Sequence, residues 1–149
     1  MNIAQALRKH AEMRARIGLL EERVKKDFII VEGKTPSYSR EEFGKLILEL
    51  SALRSDAGFL KQSIEYANNK VVNENSVSVC LAIRNRVSQA LAFFIELRNM
   101  DAERYMLREG IKIEKRIPDG ELDKNIDDLT NERRKLDDVI CQLNATIEI

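Results

Sequence analysis

Four segments of this chain place apolar residues at alternating intervals of three and four positions, the spacing that lines one face of an α-helix. The segments cover about residues 3–27, 39–67, 77–108 and 118–147. The stripes on the first, second and fourth segments are narrow, as in coiled-coil seams, whereas the third is wider and is expected to be the most buried. The pattern predicts an all-α fold of four long antiparallel helices, arranged as a bundle or as coiled-coil-like hairpins.

Polar residues near the ends of these segments indicate where the helices begin and end. Ser39 and Glu42 stand in the positions of a capping box, in which each side chain accepts a hydrogen bond from the other residue's backbone amide. Asp119 is the expected N-cap of the fourth helix. Asn68 and Asn69 predict the end of the second helix, because asparagine tolerates the left-handed conformation found there.

Two connectors between the helices lack helical spacing. Residues 28–31 (FIIV) form a short run rich in β-branched side chains, and residues 111–114 (IKIE) alternate apolar and polar side chains as a half-buried strand does. In an up-down-up-down arrangement both connectors lie at the same end of the helices. They are therefore predicted to pair as a small two-stranded β ribbon; in the alternative, each folds separately over that end.

Length, charge and cysteine content narrow the class of protein. The 149 residues fit a single helical domain, residues 1–149. Lys plus Arg and Asp plus Glu both number 25, so the basic excess of a typical nucleic-acid-binding protein is missing. No run of about 18 apolar residues is present, so neither a transmembrane helix nor a membrane partner is expected. The charged N-terminus does not resemble a secretion signal and the two cysteines fit a reducing compartment, so we expect a cytoplasmic protein.

Short motifs also follow one another in a recognisable order. They are Ile3-Ala4-Gln5-Ala6-Leu7, Glu32-Gly33-Lys34-Thr35-Pro36, Leu60 with Ile64 and Asn68, Leu81-Ala82 with Arg84, Arg104-Tyr105, an Ile-Lys piece at Ile111 and a closing heptad helix. This order resembles the septicolysin-like family of small, all-helical bacterial proteins of unassigned function. The resemblance implies an all-helical fold and a bacterial protein. The lysin activity in the family's name is not carried over, because the sequence has no basic amphipathic face and no membrane-length apolar segment.

A polar group at the start of the third segment has two interpretations. Arg84, Asn85 and Arg86 interrupt an apolar helix, and Arg84 can pair with Glu65 or another carboxylate to fix the register of neighbouring helices. Alternatively, Arg84 and Asn85 form an anion-binding site between the second and third helices, with Asn68 and Glu65 beside them. The structural interpretation is favoured.

His10, Cys80 and Cys141 form the candidate metal site. All three fall near one end of an up-down-up-down arrangement, and zinc prefers nitrogen and sulfur ligands of this kind. The favoured alternative is that His10 is a partly buried seam residue and that the cysteines are small core residues. No Cys-x-x-Cys spacing supports a metal site, and no cofactor is expected.

The sequence contains no motif that assigns a catalytic residue. It has one histidine, no Gly-rich phosphate-binding loop and no Gly-x-Ser-x-Gly motif. The first hypothesis is therefore a non-enzymatic helical protein that self-associates through its long antiparallel helices and forms a homo-oligomer. The wide apolar face of the third helix and the coiled-coil seams are the expected contact surfaces. The alternative is a helical protein that binds a small ligand or a metal ion.

Overall fold

The protein is described by a computed structural model that covers residues 1–100 and 115–149. Within these residues it has four α-helices and no β-sheet, which confirms the predicted all-α class. The helices are α1 (Ile3–Asp27), α2 (Arg40–Asn68), α3 (Val77–Asn99) and α4 (Asp119–Thr146). The chain divides into two compact units, one of Met1–Lys70 with Asn144–Ile149 and the other of Val71–Leu143.

In the first unit, α1 and α2 pack along each other as a hairpin. Their buried stripes form one apolar cluster of Ile17, Leu20, Leu50 and Ala57. The partly buried side chains around this cluster are Met13, Val24, Leu46 and Leu53. The three-four spacing in the sequence therefore corresponds to real contacts between the two helices.

Capping boxes fix where both helices of the hairpin begin. Asn2 caps α1, and Ser39 caps α2 as the sequence predicts. The Ser39 amide donates to the Glu42 carboxylate at 2.7 Å. This hydrogen bond favours the ionised carboxylate and holds the pKa of Glu42 below its usual value.

Ion pairs between exposed side chains also join α1 to α2. Arg54 Nη2 lies 2.6 Å from Glu21 Oε1, and Arg16 pairs with Glu49. The hydrogen bond from Arg54 holds the pKa of Glu21 below its ordinary value of 4.5. Because the folded-state pKa is the lower one, the stabilisation by this pair is present above pH 4.5 and is lost as the pH falls through the lowered pKa.

The connector between α1 and α2 is closed by the last residue of α1. The Asp27 carboxylate accepts hydrogen bonds from the backbone amides of Ser37 at 2.8 Å and Tyr38 at 3.2 Å. Inside the connector, the Lys34 amide donates to the carbonyl oxygen of Val31 at 3.0 Å. This places the start of α2 beside the end of α1, so the chain reverses direction between the two helices.

The predicted β ribbon is not seen. Residues 28–31 are irregular and solvent-exposed, in a connector that turns back from α1 toward α2. Gly33 makes the turn possible with a φ of +79°, a conformation that costs glycine little. Residues 111–114, the other half of the predicted ribbon, lie outside the described residues.

The segment after α4 pairs with the start of α1 instead. The Ile3 amide donates to the carbonyl oxygen of Ile147 at 3.1 Å, and Asn2 and Glu148 form an isolated antiparallel bridge. Asn2 has a double role, because its Oδ1 caps α1 while its Nδ2 donates to the carbonyl oxygen of Ala145 at 3.1 Å. Ile3 and Ile147 are both buried. We refer to this pairing of residues 1–3 with 145–149 as the terminal junction.

In the second unit, the helix boundaries differ in part from the predicted ones. α3 starts at Val77 and ends at Asn99; the rest of the predicted helix, residues 101–108, lies outside the described residues. Asp119 is the first residue of α4 and not its N-cap. The carbonyl oxygen of Pro118 accepts from the amides of Glu121 and Leu122 at 3.1 Å, so the helix begins one residue earlier than predicted.

The described part of the third helix has the largest buried share of the four helices, as the sequence predicts. Four of the 23 residues of α3 are buried, against four of 25 in α1, four of 29 in α2 and two of 28 in α4. Large apolar residues beside its buried stripe, such as Val79 and Phe93, are nevertheless exposed. The apolar face of α3 is therefore wider than its buried face.

Candidate functional site

Arg84, the central residue of the predicted polar group, forms an ion pair within the second unit. It lies on the same side of α3 as Cys80 and Val87, which are buried, and its guanidinium is therefore only partly exposed. Its Nε donates to the Asp137 carboxylate of α4. Asn85 points to the exposed side of the helix. The arginine thus joins two helices, as the structural interpretation of this group expects, with Asp137 as the carboxylate.

A second arginine joins the same two helices further along. Arg98 Nε donates to Asp123 at 2.7 Å, and its Nη1 donates to Asp119 at 3.1 Å. Moving fourteen residues forward along α3 from Arg84 to Arg98 corresponds to moving fourteen residues back along α4, from Asp137 to Asp123. The two arginine–aspartate pairs therefore describe one antiparallel register.

Lys115 completes a small charge network at this end of α4. Its ammonium group donates to the Asp119 carboxylate at 2.8 Å and to the carbonyl oxygen of Arg98 at 2.9 Å. The hydrogen bond from Lys115 holds the pKa of Asp119 below its usual value, and the charge of Arg98 acts in the same direction. The hydrogen bond to Asp123 in turn raises the pKa of Arg98. Both shifts favour the ionised forms of Asp119 and Arg98, which suits a structural role.

We expect Arg84 and Asp137 to be energetically coupled. In a double-mutant cycle of Arg84→Ala and Asp137→Ala, the coupling should be about 0.2–1 kcal/mol, the range for partly exposed ion pairs. Denaturant unfolding of the four proteins measures it. Asn85→Ala combined with Asp137→Ala serves as the control and should be additive. Coupling within error of zero in the Arg84 cycle would show that this pair does not set the register.

Glu65 and Asn68, the other residues of the predicted anion site, belong to the first unit. Glu65 is exposed on α2, 3.6 Å from Lys61 Nζ. Asn68 is the last residue of α2 and is partly buried. Arg84 and Asn85 belong to the second unit. The anion site stays a prediction.

The three predicted metal ligands have different environments. His10 is partly buried on α1 of the first unit, whereas Cys80 is buried on α3 and Cys141 is exposed on α4 of the second unit. Across residues 1–100 and 115–149, no group of three or more His, Cys, Asp or Glu side chains is arranged to hold a metal ion. The metal site therefore stays a prediction from the sequence.

The side of α2 opposite its buried residues carries an unexpected second stripe. At 100° per residue, six exposed positions follow one another at intervals of four, three, four, three and four. They are Leu48, Ala52, Ser55, Phe59, Gln62 and Tyr66, which we call the α2 outer stripe. Leu48, Phe59 and Tyr66 are 71%, 66% and 74% exposed. None of the six residues is charged.

The matching stripe of α1 shows what an ordinary solvent-facing surface of this hairpin looks like. It has the same spacing and consists of Arg8, Glu12, Ala15, Leu19, Glu22 and Lys26, all exposed. Four of these six residues are charged, about twice the 34% share of charged residues in the whole chain. Two helices of one hairpin thus present different outer surfaces, and only that of α2 has the composition of a contact surface.

A second apolar surface lies in the connector between α1 and α2. Phe28, Ile29, Ile30 and Val31 are all exposed in sequence succession. Residues 29–31 line a shallow cavity of about 230 Å³ together with Lys26, Lys34 and neighbouring residues of the connector.

None of the helices in residues 1–100 and 115–149 has an apolar stretch long enough to cross a membrane.

The α2 outer stripe continues into a shallow cavity at its C-terminal end. This cavity, of about 360 Å³, is lined by Gln62, Ser63, Tyr66, Ala67, Lys70 and Ile149. The Lys70 ammonium lies 5.9 Å from the centre of the Tyr66 ring and donates to the carbonyl oxygen of Glu148 at 2.7 Å. One wall of the cavity is thus the terminal junction, which extends the exposed apolar surface beyond the helix.

Comparison with known proteins identifies a family and a fold. The sequence model of a family of unknown function (DUF6847) matches residues 10–149. No curated protein matches the chain. Among solved structures, it is similar to the crystal structure of a functionally unknown conserved protein from Corynebacterium diphtheriae. The TM-score is 0.77 at 23% sequence identity, with 97% of this chain and 95% of that chain covered, which shows a shared fold alone.

Proposed function

The chain belongs to DUF6847, a family of unknown function, and from that premise we propose that it is a non-enzymatic helical protein that self-associates. The proposal depends on one observation, the apolar surface that the first unit leaves exposed. Residues 28–31 form one part of it and the α2 outer stripe forms another. Single exposed apolar residues are ordinary, but contiguous groups of them mark surfaces that a partner covers.

A second copy of the chain is the partner that this proposal names. Helix stripes with alternating three and four spacing pack best against another helix of the same kind, and the chain supplies such helices itself. Homo-oligomers are also the commonest soluble assemblies. A homo-oligomer with apolar helix faces at its subunit contacts therefore accounts for the exposed residues without a further component.

The non-enzymatic part of the proposal is supported by the side chains available. Histidine is the residue most often used as a general base, and the chain has one, His10. The lowered pKa values of Glu21 and Asp119 are accounted for by ion pairs, of Glu21 with Arg54 and of Asp119 with Lys115 and Arg98. We assign no catalytic residue. The septicolysin-like resemblance and a cytoplasmic location stay predictions.

Native mass spectrometry of protein purified without a chelator tests the proposal, because it measures the subunit number and any retained ion or ligand together. We expect an oligomer whose mass is a whole multiple of the 17.2 kDa chain. A monomer at every concentration, confirmed by sedimentation velocity, would contradict the proposal. The measurement also separates it from the alternative, a protein that binds a small ligand or a metal ion.

The alternative predicts a stoichiometric mass in addition to that of the protein. In that event the variant with His10→Ala and Cys141→Ala should lose any bound metal ion, because it lacks two of the three predicted ligands. Cys80 is left unchanged because it is buried, and a substitution there would alter packing. Metal content that is the same in this variant and in the unmodified protein would remove the predicted metal site.

A further inference from the structure

We propose that the α2 outer stripe is the subunit interface, and that it packs in antiparallel orientation against the same stripe of a second copy. This inference rests on the proposed self-association and identifies the surface that performs it. The stripe extends over the nineteen residues from Leu48 to Tyr66, a rise of about 27 Å along the helix axis. Two exposed stripes of this length and spacing meet as the seams of a coiled coil do.

The absence of charge from the stripe permits contact with an identical surface. In a two-fold symmetric dimer, each residue meets a surface with the same charges as its own. The outer stripe of α1, with its four charged residues, would place like charges close together in many registers. The α2 outer stripe contains none. Of the residues that flank it, Gly44, Ser51, Gly58 and Ser63 are small and uncharged, whereas Lys45 and Asp56 place charges at its edge. Small residues of this kind let two helices approach closely.

Side-chain volumes favour the antiparallel orientation over the parallel one. The intervals four, three, four, three and four read the same in both directions, so the stripe can be reversed onto itself. Reversal pairs Phe59 with Ser55, Ala52 with Gln62 and Leu48 with Tyr66 of the second copy. Phe59 then packs against a small residue, as in well-interdigitated cores. A parallel pair would instead put Phe59 against Phe59 and Ser55 against Ser55.

The available area indicates a reversible dimer. Two aromatic side chains and a leucine, each about two-thirds exposed or more, offer on the order of 400 Å². A stable interface removes about 800 Å² from each partner. The shallow cavity beside Tyr66 continues the surface toward Ile149 and supplies part of the difference. The interface is therefore at the lower end of the usual size, and dimer formation should depend on protein concentration.

Substitution of one residue on each outer stripe provides a matched test. Phe59→Glu should convert the dimer to a monomer in sedimentation velocity, because it places two carboxylates near each other in the apolar seam. Leu19→Glu is the control, since Leu19 is 57% exposed on the charged stripe of α1. It should leave the dimer unchanged. Circular dichroism and thermal unfolding of both variants establish that the monomeric chain is folded.

Disulfide crosslinking tests the orientation. Ala52→Cys and Gln62→Cys are prepared separately with Cys141→Ser, and equal amounts are mixed and oxidised; Cys80 is buried and stays in place. In the antiparallel dimer, residue 52 of one copy faces residue 62 of the other. The mixture should therefore give a covalent heterodimer. Each variant alone should not crosslink, since like positions are about 15 Å apart and a disulfide needs Cα atoms within about 7 Å.

The possible results separate this inference from the proposed function. A dimer that survives Phe59→Glu would overturn the α2 interface and leave self-association intact. Crosslinking of Ala52→Cys with itself, without the mixed product, would overturn the antiparallel orientation. An unmodified protein that is monomeric at all concentrations would overturn both the interface and the proposed function.

Discussion

Replacing Leu20 with Ala should lower the free energy of unfolding by about 2–5 kcal/mol, the range for removing a large aliphatic side chain from a core. Leu20 is 3% exposed and packs with Ile17, Leu50 and Ala57 in the cluster that joins α1 to α2. The substitution removes apolar contacts from both helices and leaves a cavity between them. Urea unfolding followed by circular dichroism measures the change.

The preceding residue is a matched control for this experiment. Leu19 has the same side chain on the same helix but is 57% exposed. Leu19→Ala should change the free energy of unfolding by no more than about 0.5 kcal/mol, as exposed substitutions usually do. Similar losses for the two variants would show that the cluster is not what holds the hairpin together. The comparison is made on dilute protein, where an oligomer does not add to stability.

Replacing Ile147 with Asp should destabilise the protein by about 3–5 kcal/mol, the scale for leaving a buried charge without a partner. Ile147 is 4% exposed in the terminal junction, where its carbonyl oxygen accepts from the amide of Ile3. Burial raises the pKa of the introduced carboxyl group, because it penalises the charged form. The loss should therefore shrink as the pH falls through that raised pKa and the group becomes neutral.

Ile149→Asp is the control, because Ile149 is in the same segment but 37% exposed. A charge there stays in contact with water, so the change should be within about 0.5 kcal/mol and should depend little on pH. Thermal unfolding of both variants across the acidic range measures the two effects. Equal stability of Ile147→Asp and Ile149→Asp would show that the terminal junction is open in solution.

The helices could be predicted from the sequence because their signals are local. A buried stripe repeats every three or four residues, and the capping box at Ser39 occupies four consecutive positions. Both signals depend on residues close together in the sequence and not on the packing of distant segments. The N-cap prediction for Asp119 was wrong by one residue. The Asp119 carboxylate does not cap α4 but forms ion pairs with Arg98 of α3 and with Lys115.

The pairing of segments could not be predicted, because it depends on which partner is nearby. Residues 28–31 have the composition of a strand, but in the structure they are part of an irregular connector that is closed by hydrogen bonds from Ser37 and Tyr38 to the Asp27 carboxylate. One of the bridges that do form joins Asn2 to Glu148 across almost the whole sequence. Nothing in the local pattern around either residue indicates the other.

The candidate interface was missed for a different reason. The spacing from Leu48 to Tyr66 is visible in the sequence, but α2 carries a second apolar stripe through Leu50 and Ala57. Periodicity alone does not show which of two stripes faces the core. The structure separates them by burial, and the outer stripe of α1, which is mostly charged, shows that the two helices of the hairpin do not share an uncharged outer surface.

The terminal junction also determines when the fold can be completed. The first unit consists of two stretches of chain, and residues 71–143 are inserted between them. During synthesis the α1–α2 hairpin can close early, since its contacts are local. The pairing of Ile3 with Ile147 must wait until residues 4–146 have been synthesised. Until then the Ile3 amide donates to water and the Ile3 side chain is uncovered, so the nascent hairpin exposes an apolar side chain that the folded protein buries.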